Sequence, residues 1–173
     1  MKKNAIRHAI ILRGPPGAGK TSVIKYLHKK LQTNTSVRIV NLDAEWGDDR
    51  FGSTEPRHYS DLERLTEEIV LVEIGYGNDA TFRPKVWCDK LKNAGYNLSL
   101  FLLGCSEDIC IKRVKQRNAG MLESYARDFW KRYQCNLEFT DFPSHAGVNQ
   151  VEFNTDALSP DEISEKIRNE VGF

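Results

Sequence analysis

Long apolar runs are missing from this 173-residue chain: no stretch approaches the ~18 apolar residues of a membrane-spanning helix. Paired cysteines are missing too. Cys88, Cys105, Cys110 and Cys135 form no Cys-x-x-Cys pair, so zinc-ribbon and thioredoxin-like readings find no support. Four thiols scattered through a domain of this size are expected to sit reduced, as in a cytosolic protein. An excess of one charge sign is absent as well. The net charge of +1 argues against a strongly basic nucleic-acid surface but leaves room for a local patch. There is no internal repeat and no Pro/Gly/Ser-rich linker. What is present, 40% hydrophobic and 28% charged residues, is close to a soluble globular average and excludes the disordered and low-complexity classes. The length fits one domain spanning 1–173. A chain this long buries roughly 70% of its unfolded surface and needs no staples. The early apolar run, Ala9 to Leu12, is too short for the core of a signal peptide. The expected location is the cytoplasm, with no membrane partner.

Short apolar runs alternate with helical periods, which predicts an α/β fold with a parallel sheet. His8 to Arg13 is continuously apolar between its ends, as expected for a strand covered on both faces. A Gly/Pro loop follows, then Thr21 to Leu31 carries Ile24, Leu27 and Leu31 at helical spacing. Val37 to Leu42 reads as a second strand ending at Asp43. Residues 44–60 are irregular, and a short helix is expected over Ser60 to Glu68. Ile69 to Ile74 is the third strand. Lys85 to Ala94 reads as a helix stopped by Gly95. Asn97 to Leu103 is the fourth strand. Ser106, Glu107 and Asp108 open the next helix with a cap and an acidic first turn. Leu122, Tyr125, Ala126, Phe129, Trp130 and Tyr133 form an apolar stripe on another. Gln150 to Phe153 is a fifth strand. Ser159-Pro160-Asp161-Glu162 then combines a capping box with a first-turn proline, ahead of Ile163, Ile167 and Val171.

The most informative segment is Gly14-Pro15-Pro16-Gly17-Ala18-Gly19-Lys20-Thr21, which matches GxxxxGK[ST]. Glycines let the backbone curl so that its N–H groups converge on phosphate oxygens. The following helix turns its positive end to the same anion. In this pattern Lys20 neutralises the β- and γ-phosphates, and the Thr21 hydroxyl ligates Mg²⁺. A chance match in a chain of this length is under roughly one in a hundred. The strand before the loop and the amphipathic helix after it supply the required context, against the bland alternative of a Gly/Pro turn. Gly75-x-Gly77 does not complete a dinucleotide fingerprint.

No Asn-Lys-x-Asp run is present to read guanine; Asn154-Thr155-Asp156 lacks the lysine. A small nucleotide-dependent kinase fits the length and should carry arginines for the transferring phosphate in its second half. Arg113 and Arg117 lie four apart on one helix face, and Arg127 and Arg132 follow. Asp43 ends the second strand, on the side where open parallel sheets bind ligands. There it can take a proton from an attacking hydroxyl or hold a water of the Mg²⁺ shell. Glu73 ends the third strand and can order magnesium waters or bind substrate.

Gly14 to Thr21, Asn41-Leu42-Asp43 and Val72-Glu73 resemble the small P-loop kinases grouped with zeta toxins, chloramphenicol phosphotransferases and the kinase domains of polynucleotide kinases. Ala80-Thr81-Phe82-Arg83, followed by Lys92-Asn93-Ala94-Gly95-Tyr96, looks most like zeta toxins. Phe153 to Asp156 with Leu158 to Glu162 is similar to the close of chloramphenicol phosphotransferases. Asp43-Ala44-Glu45-Trp46 departs from the Asp-x-Phe or Asp-x-x-Arg more usual there. The resemblance implies a three-layer P-loop fold with a five-stranded parallel sheet in the order 2-3-1-4-5, and an arginine-bearing lid at about 113–133. It implies that Asp43 is the catalytic base and that Arg117 with Arg127 contacts ATP phosphates. It also implies that Arg113 stacks on adenine and that Thr155 belongs to the nucleotide site.

Together these readings predict an ATP- and Mg²⁺-dependent phosphotransferase acting on a hydroxyl of a small molecule, such as a nucleotide sugar or an antibiotic. Asp43 and Thr21 are the expected metal-side residues. Trp46, with Phe51 and Tyr59, can stack on an acceptor ring; Arg50, Arg57 and Arg83 can pair with an anionic group, and Glu73 completes the acceptor side. One alternative is a polynucleotide 5′-hydroxyl kinase using the basic cluster of Lys112, Arg113, Lys115, Arg117, Arg127, Lys131 and Arg132. Another is a nucleotide-gated binding module, which the presence of Asp43 disfavours.

Overall fold

A computed structural model describes residues 6–41, 62–74, 84–117, 122–135 and 150–173. In chain order these form β1 (Arg7–Arg13), α1 (Lys20–Leu31), β2 (Val37–Asn41), a 3-10 turn (Leu62–Arg64), β3 (Ile69–Ile74), α2 (Pro84–Asn93) and β4 (Tyr96–Gly104). Then come α3 (Glu107–Arg117), α4 (Glu123–Cys135), β5 (Gln150–Asn154) and α5 (Pro160–Val171). The strands make one parallel sheet in the order β2-β3-β1-β4-β5, as expected.

Parallel neighbours need crossovers, and the crossover helices cover both faces of the sheet. Ala9 and Ile11 of β1 point to one face, with Val70, Val72, Leu100, Cys88 and Leu91. Ile10 and Leu12 point to the other, with Leu27 of α1, Ile111 of α3 and Ile163 and Ile167 of α5. This two-sided burial is why β1 reads as a continuous apolar run. Each such buried Ile or Leu contributes about 1.5–3 kcal/mol. The capping box at α5 forms as the sequence predicts. The Ser159 Oγ accepts from the Glu162 N–H at 3.3 Å, and the Glu162 carboxylate accepts from the Ser159 N–H at 2.8 Å. Lys30 ties α1 to α5 through Asp161 at 2.6 Å and Glu165 at 2.5 Å.

Two expectations change. The helix predicted over Ser60 to Glu68 is, among its described residues, only the 3-10 turn Leu62–Arg64. Leu62 is buried, and residues 65–68 after the turn carry no regular structure; Arg7 holds carbonyls there that a helix would have paired. The Arg7 guanidinium donates to the Leu65 carbonyl and to the Glu67 carbonyl, and the Tyr96 hydroxyl donates to Glu67 as well at 2.7 Å. The stripe predicted on α4 is also narrower. Ala126 is buried and Trp130 half-buried, but Leu122 and Tyr125 are exposed. No helix among the described residues is long and apolar enough to cross a membrane.

Candidate active site

The loop between β1 and α1 sits at the carboxyl edge of the sheet, and its shape is dictated by glycine. Gly14 passes so close to β4 that a Cβ there would lie 2.4 Å from the Leu103 carbonyl oxygen. Gly17 has a φ of 82° and backs onto α3, where a Cβ would meet the Cys110 carbonyl oxygen at 2.7 Å. Both positions demand a residue without a side chain. The Ala18 N–H donates to the Pro15 carbonyl at 3.1 Å and closes a turn inside the loop.

Lys20 opens α1 and is buried, its ammonium donating to the carbonyls of Gly14 at 2.9 Å and Pro15 at 3.3 Å. The cation thus lies folded along its own loop. The next residue, Thr21, donates its hydroxyl to the Glu73 carboxylate at 2.6 Å. Register explains the meeting, since Glu73 pairs with Leu12 of β1 and Asn41 of β2 just below the strand ends. A buried carboxylate beside a hydroxyl is an all-oxygen donor set. It fits Mg²⁺, which takes one or two protein carboxylates and keeps several waters.

On the α3 side the loop is held by side chains. The Cys110 thiol donates to the Pro16 carbonyl at 2.6 Å. Arg113 donates to the Gly17 carbonyl at 3.3 Å, the Thr155 hydroxyl at 2.9 Å and the Thr155 carbonyl at 2.8 Å. Thr155 extends the β5 ladder by donating its N–H to the Gly104 carbonyl at 2.8 Å. Asp156 accepts from the Ser106 N–H at 2.9 Å, fixing this turn to the start of α3. Cys105 and Cys110 are hydrogen-bonded neighbours; the contact pushes the Cys105 thiol up and pulls the Cys110 thiol down, with Lys20 and Arg113 adding to the latter. A cavity of about 500 Å³ opens between these groups. Its walls include Gly17, Gly19, Val23, Arg113, Arg117 and Thr155.

Of the predicted site residues, Gly14 to Thr21, Glu73, Arg113, Arg117 and Thr155 are thus gathered at one edge. Arg127 is not among the residues lining this cavity. Its guanidinium pairs with Glu107 and, at 3.1 Å, with Glu123. Within the predicted lid, residues 113–117 belong to α3 and 123–133 to α4, and the Trp130 N–H anchors α4 to the Cys105 carbonyl at 2.8 Å. Asp43, Trp46, Arg50, Phe51, Arg57, Tyr59 and Arg83 lie outside the described residues. Sequence reasoning overlooked Cys110. The one available signal was its spacing, which puts it on the same α3 face as Arg113 and Arg117.

No family model matches the chain, and no curated protein does. Solved structures do. The YorR protein from Bacillus subtilis, in complex with phosphorylated GDP, superimposes with a TM-score of 0.65 at 19% identity, covering 95% of each chain. The tunicamycin resistance protein of Deinococcus radiodurans gives a TM-score of 0.61 at 15% identity over 96% of both chains. Shikimate kinase from Acinetobacter baumannii, in complex with shikimate, gives 0.59 at 21% identity, over 96% of this chain and 94% of that one. The chain has the fold of the small P-loop kinases, with its glycine-rich loop between the central strand and the first helix.

Proposed function

We propose that the protein is an ATP- and Mg²⁺-dependent phosphotransferase that moves the γ-phosphate to a hydroxyl group of a small molecule. The observation that carries this reading is the glycine-rich loop, with Lys20 folded along it and the Thr21–Glu73 pair at its end, beside a cavity of about 500 Å³ lined by Gly17, Gly19 and Arg113. The apolar parts of that cavity, with the fixed guanidinium of Arg113, suit a flat heteroaromatic base. Arg113 offers it a planar cation to stack on. The Thr155 turn closes the same side.

Transfer requires the acceptor oxygen to attack the γ-phosphorus while the bond to the β–γ bridging oxygen breaks. The hydroxyl proton passes to a base and ADP leaves. We assign the base to Asp43, two residues past the end of β2, whose last residue pairs with Glu73. Lys20 leaves the Gly14 and Pro15 carbonyls for the β- and γ-phosphate oxygens. Arg117, at the cavity wall, is favoured over Arg127 as the arginine that meets the phosphates, because Arg127 is held by two carboxylates. Thr21 and Glu73 would hold Mg²⁺, with Asp43 as a further candidate ligand, and the ion would supply charge neutralisation at the phosphates when bound. Trp46, Arg50 and Arg83 remain the acceptor-side residues of this reading. Shikimate kinase with shikimate, and YorR with phosphorylated GDP, support a small acceptor.

A polynucleotide 5′-hydroxyl acceptor is the second reading, motivated by the basic residues of α3 and α4. Lys115 pairs with Glu123 at 3.0 Å, Arg127 with Glu107 and Glu123, and Arg113 is turned onto Thr155. That engagement weakens the patch. Oligonucleotide binding that falls steeply with salt would revive this reading.

The first test is thermal. ATP with Mg²⁺ should raise the melting temperature, since a ligand at 100 times its Kd stabilises by about 2.7 kcal/mol. Lys20→Ala should largely remove the shift while leaving the unliganded protein folded. A turnover assay against alcohols, nucleosides and nucleotide sugars then identifies the acceptor. An undiminished shift in Lys20→Ala would sink the assignment.

A further inference from the structure

The loop is gripped from outside by one face of α3. Cys110 and Arg113 stand at helical spacing and donate to the Pro16 and Gly17 carbonyls, and a Cβ at Gly17 would meet Val114 beside them at 3.2 Å. The Cys110 thiol takes the Pro16 carbonyl, and Arg113 takes the next one, at Gly17. In a planar trans peptide the C=O and the following N–H point in opposite directions. A donor that fixes the Pro16 carbonyl toward α3 therefore turns the Gly17 N–H away from α3. A donor on the Gly17 carbonyl does the same for the Ala18 N–H, which is occupied by the Pro15 carbonyl within the loop. This arrangement turns the Gly17 N–H to the side of the loop away from α3.

Cys110 suits the task for reasons of chemistry and place. It is fully buried, so water does not compete for the Pro16 carbonyl. It stands in the first turn of α3, where the Cys110 N–H donates to the Ser106 carbonyl at 2.9 Å, so its backbone is already fixed.

We propose that Cys110 is a positioning residue for the phosphate loop: by holding the Pro16 carbonyl, its thiol aims the Gly17 N–H at the polyphosphate of the bound nucleotide. The proposal rests on the nucleotide reading for its ligand and on the loop geometry for its mechanism. It assigns α3 a role in shaping the anion site that the GxxxxGK[ST] pattern alone does not contain.

The experiment compares Cys110→Ala, Cys110→Ser and Cys105→Ala. All three change one buried cysteine side chain of the same cluster, but Cys105→Ala leaves the donor to Pro16 in place. The readouts are the Gly17 and Ala18 amide resonances of the free protein, and dissociation constants for Mg·ATP, tripolyphosphate and adenosine. A net hydrogen bond of about 1 kcal/mol corresponds to about fivefold. Cys110→Ala should therefore weaken ATP and tripolyphosphate by about that factor and leave adenosine unchanged. It should also displace the Gly17 amide resonance. Cys110→Ser should recover most of the loss, and Cys105→Ala should change neither affinity nor resonance. If Cys110→Ala does not fold, Cys110→Val also removes the donor and is read the same way. Wild-type resonances and affinities in Cys110→Ala overturn the proposal. So does an equal loss in Cys105→Ala, which would make the effect one of packing. A wild-type protein that binds no polyphosphate sinks the nucleotide reading separately. In that case the free-protein Gly17 resonance alone decides whether Cys110 sets the loop.

Discussion

At the scale of single residues, two glycines of the loop separate strain from collision. Gly17 and Gly19 have nearly the same backbone, with φ of 82° and 86°. A Cβ at Gly19 meets nothing within 4 Å, whereas one at Gly17 meets the Cys110 carbonyl oxygen at 2.7 Å. Left-handed backbone costs an L-residue roughly 1–2 kcal/mol. Gly19→Ala should lose about that much in urea unfolding, and Gly17→Ala clearly more, because carbonyl and loop must move apart. Equal losses would mean that α3 yields without cost. Asp43 gives a chemical test at the same scale. Removing a general base costs about 10²–10⁴ in rate. Asp43→Asn should lower kcat by that order and leave Mg·ATP affinity little changed. A fall in Mg·ATP affinity of matching size would assign Asp43 to the metal shell instead, and wild-type turnover would end its candidacy. The loop itself was legible in the sequence because Gly14, Gly17, Gly19, Lys20 and Thr21 stand in one unbroken eight-residue pattern between an apolar strand and an amphipathic helix. The partners of those glycines were not. Leu103 and Cys110 meet the loop only through the fold, and the Cys110–Pro16 bond joins residues 94 positions apart.

At the scale of elements, the helix ends carry their own instructions. Ser159, Pro160 and Glu162 specify the start of α5 from within four residues, and the structure forms both bonds of the box. Ser159→Ala should cost about 1 kcal/mol, within the 0.5–2 kcal/mol typical of lost caps. Chemical denaturation measures it, and Ser159→Asp should recover most of the loss. A neutral Ser159→Ala would show that the α1–α5 ion pairs hold the helix start unaided. Elements whose fate depends on distant carbonyls were harder to read. Leu62 to Glu68 has a helical look in sequence, yet Arg7 takes the Leu65 and Glu67 carbonyls and the helix stops at one turn. Leu122 and Tyr125 share a helical period with Ala126 but stand exposed, since only part of the α4 face meets the core.

At the scale of the whole molecule, stability should carry an alkaline limit set in the core. Cys88 is buried on the α2 face of the sheet, and desolvation pushes its thiol up to about 12. The folded state therefore holds this proton more tightly than the unfolded chain does. The stabilisation is complete below the ordinary thiol range and is lost as pH rises toward about 12. The slope is at most about 1.4 kcal/mol per pH unit for one proton. Urea midpoints between pH 8 and 11 should fall more steeply in the wild type than in Cys88→Ala; parallel curves would exclude this thiol as a cause. The strand order has a consequence of a different kind, in time rather than in space. The first strand made is the central one, and its pairing partners are β3 and β4. During synthesis at about 5–20 residues per second, β1 waits on the order of 5–20 s for Gly104 to be added. Until β3 is made, Ala9 to Leu12 form an apolar strand with two open edges, and until β4 follows one edge stays open, which makes this stretch of the nascent chain a natural client for a chaperone.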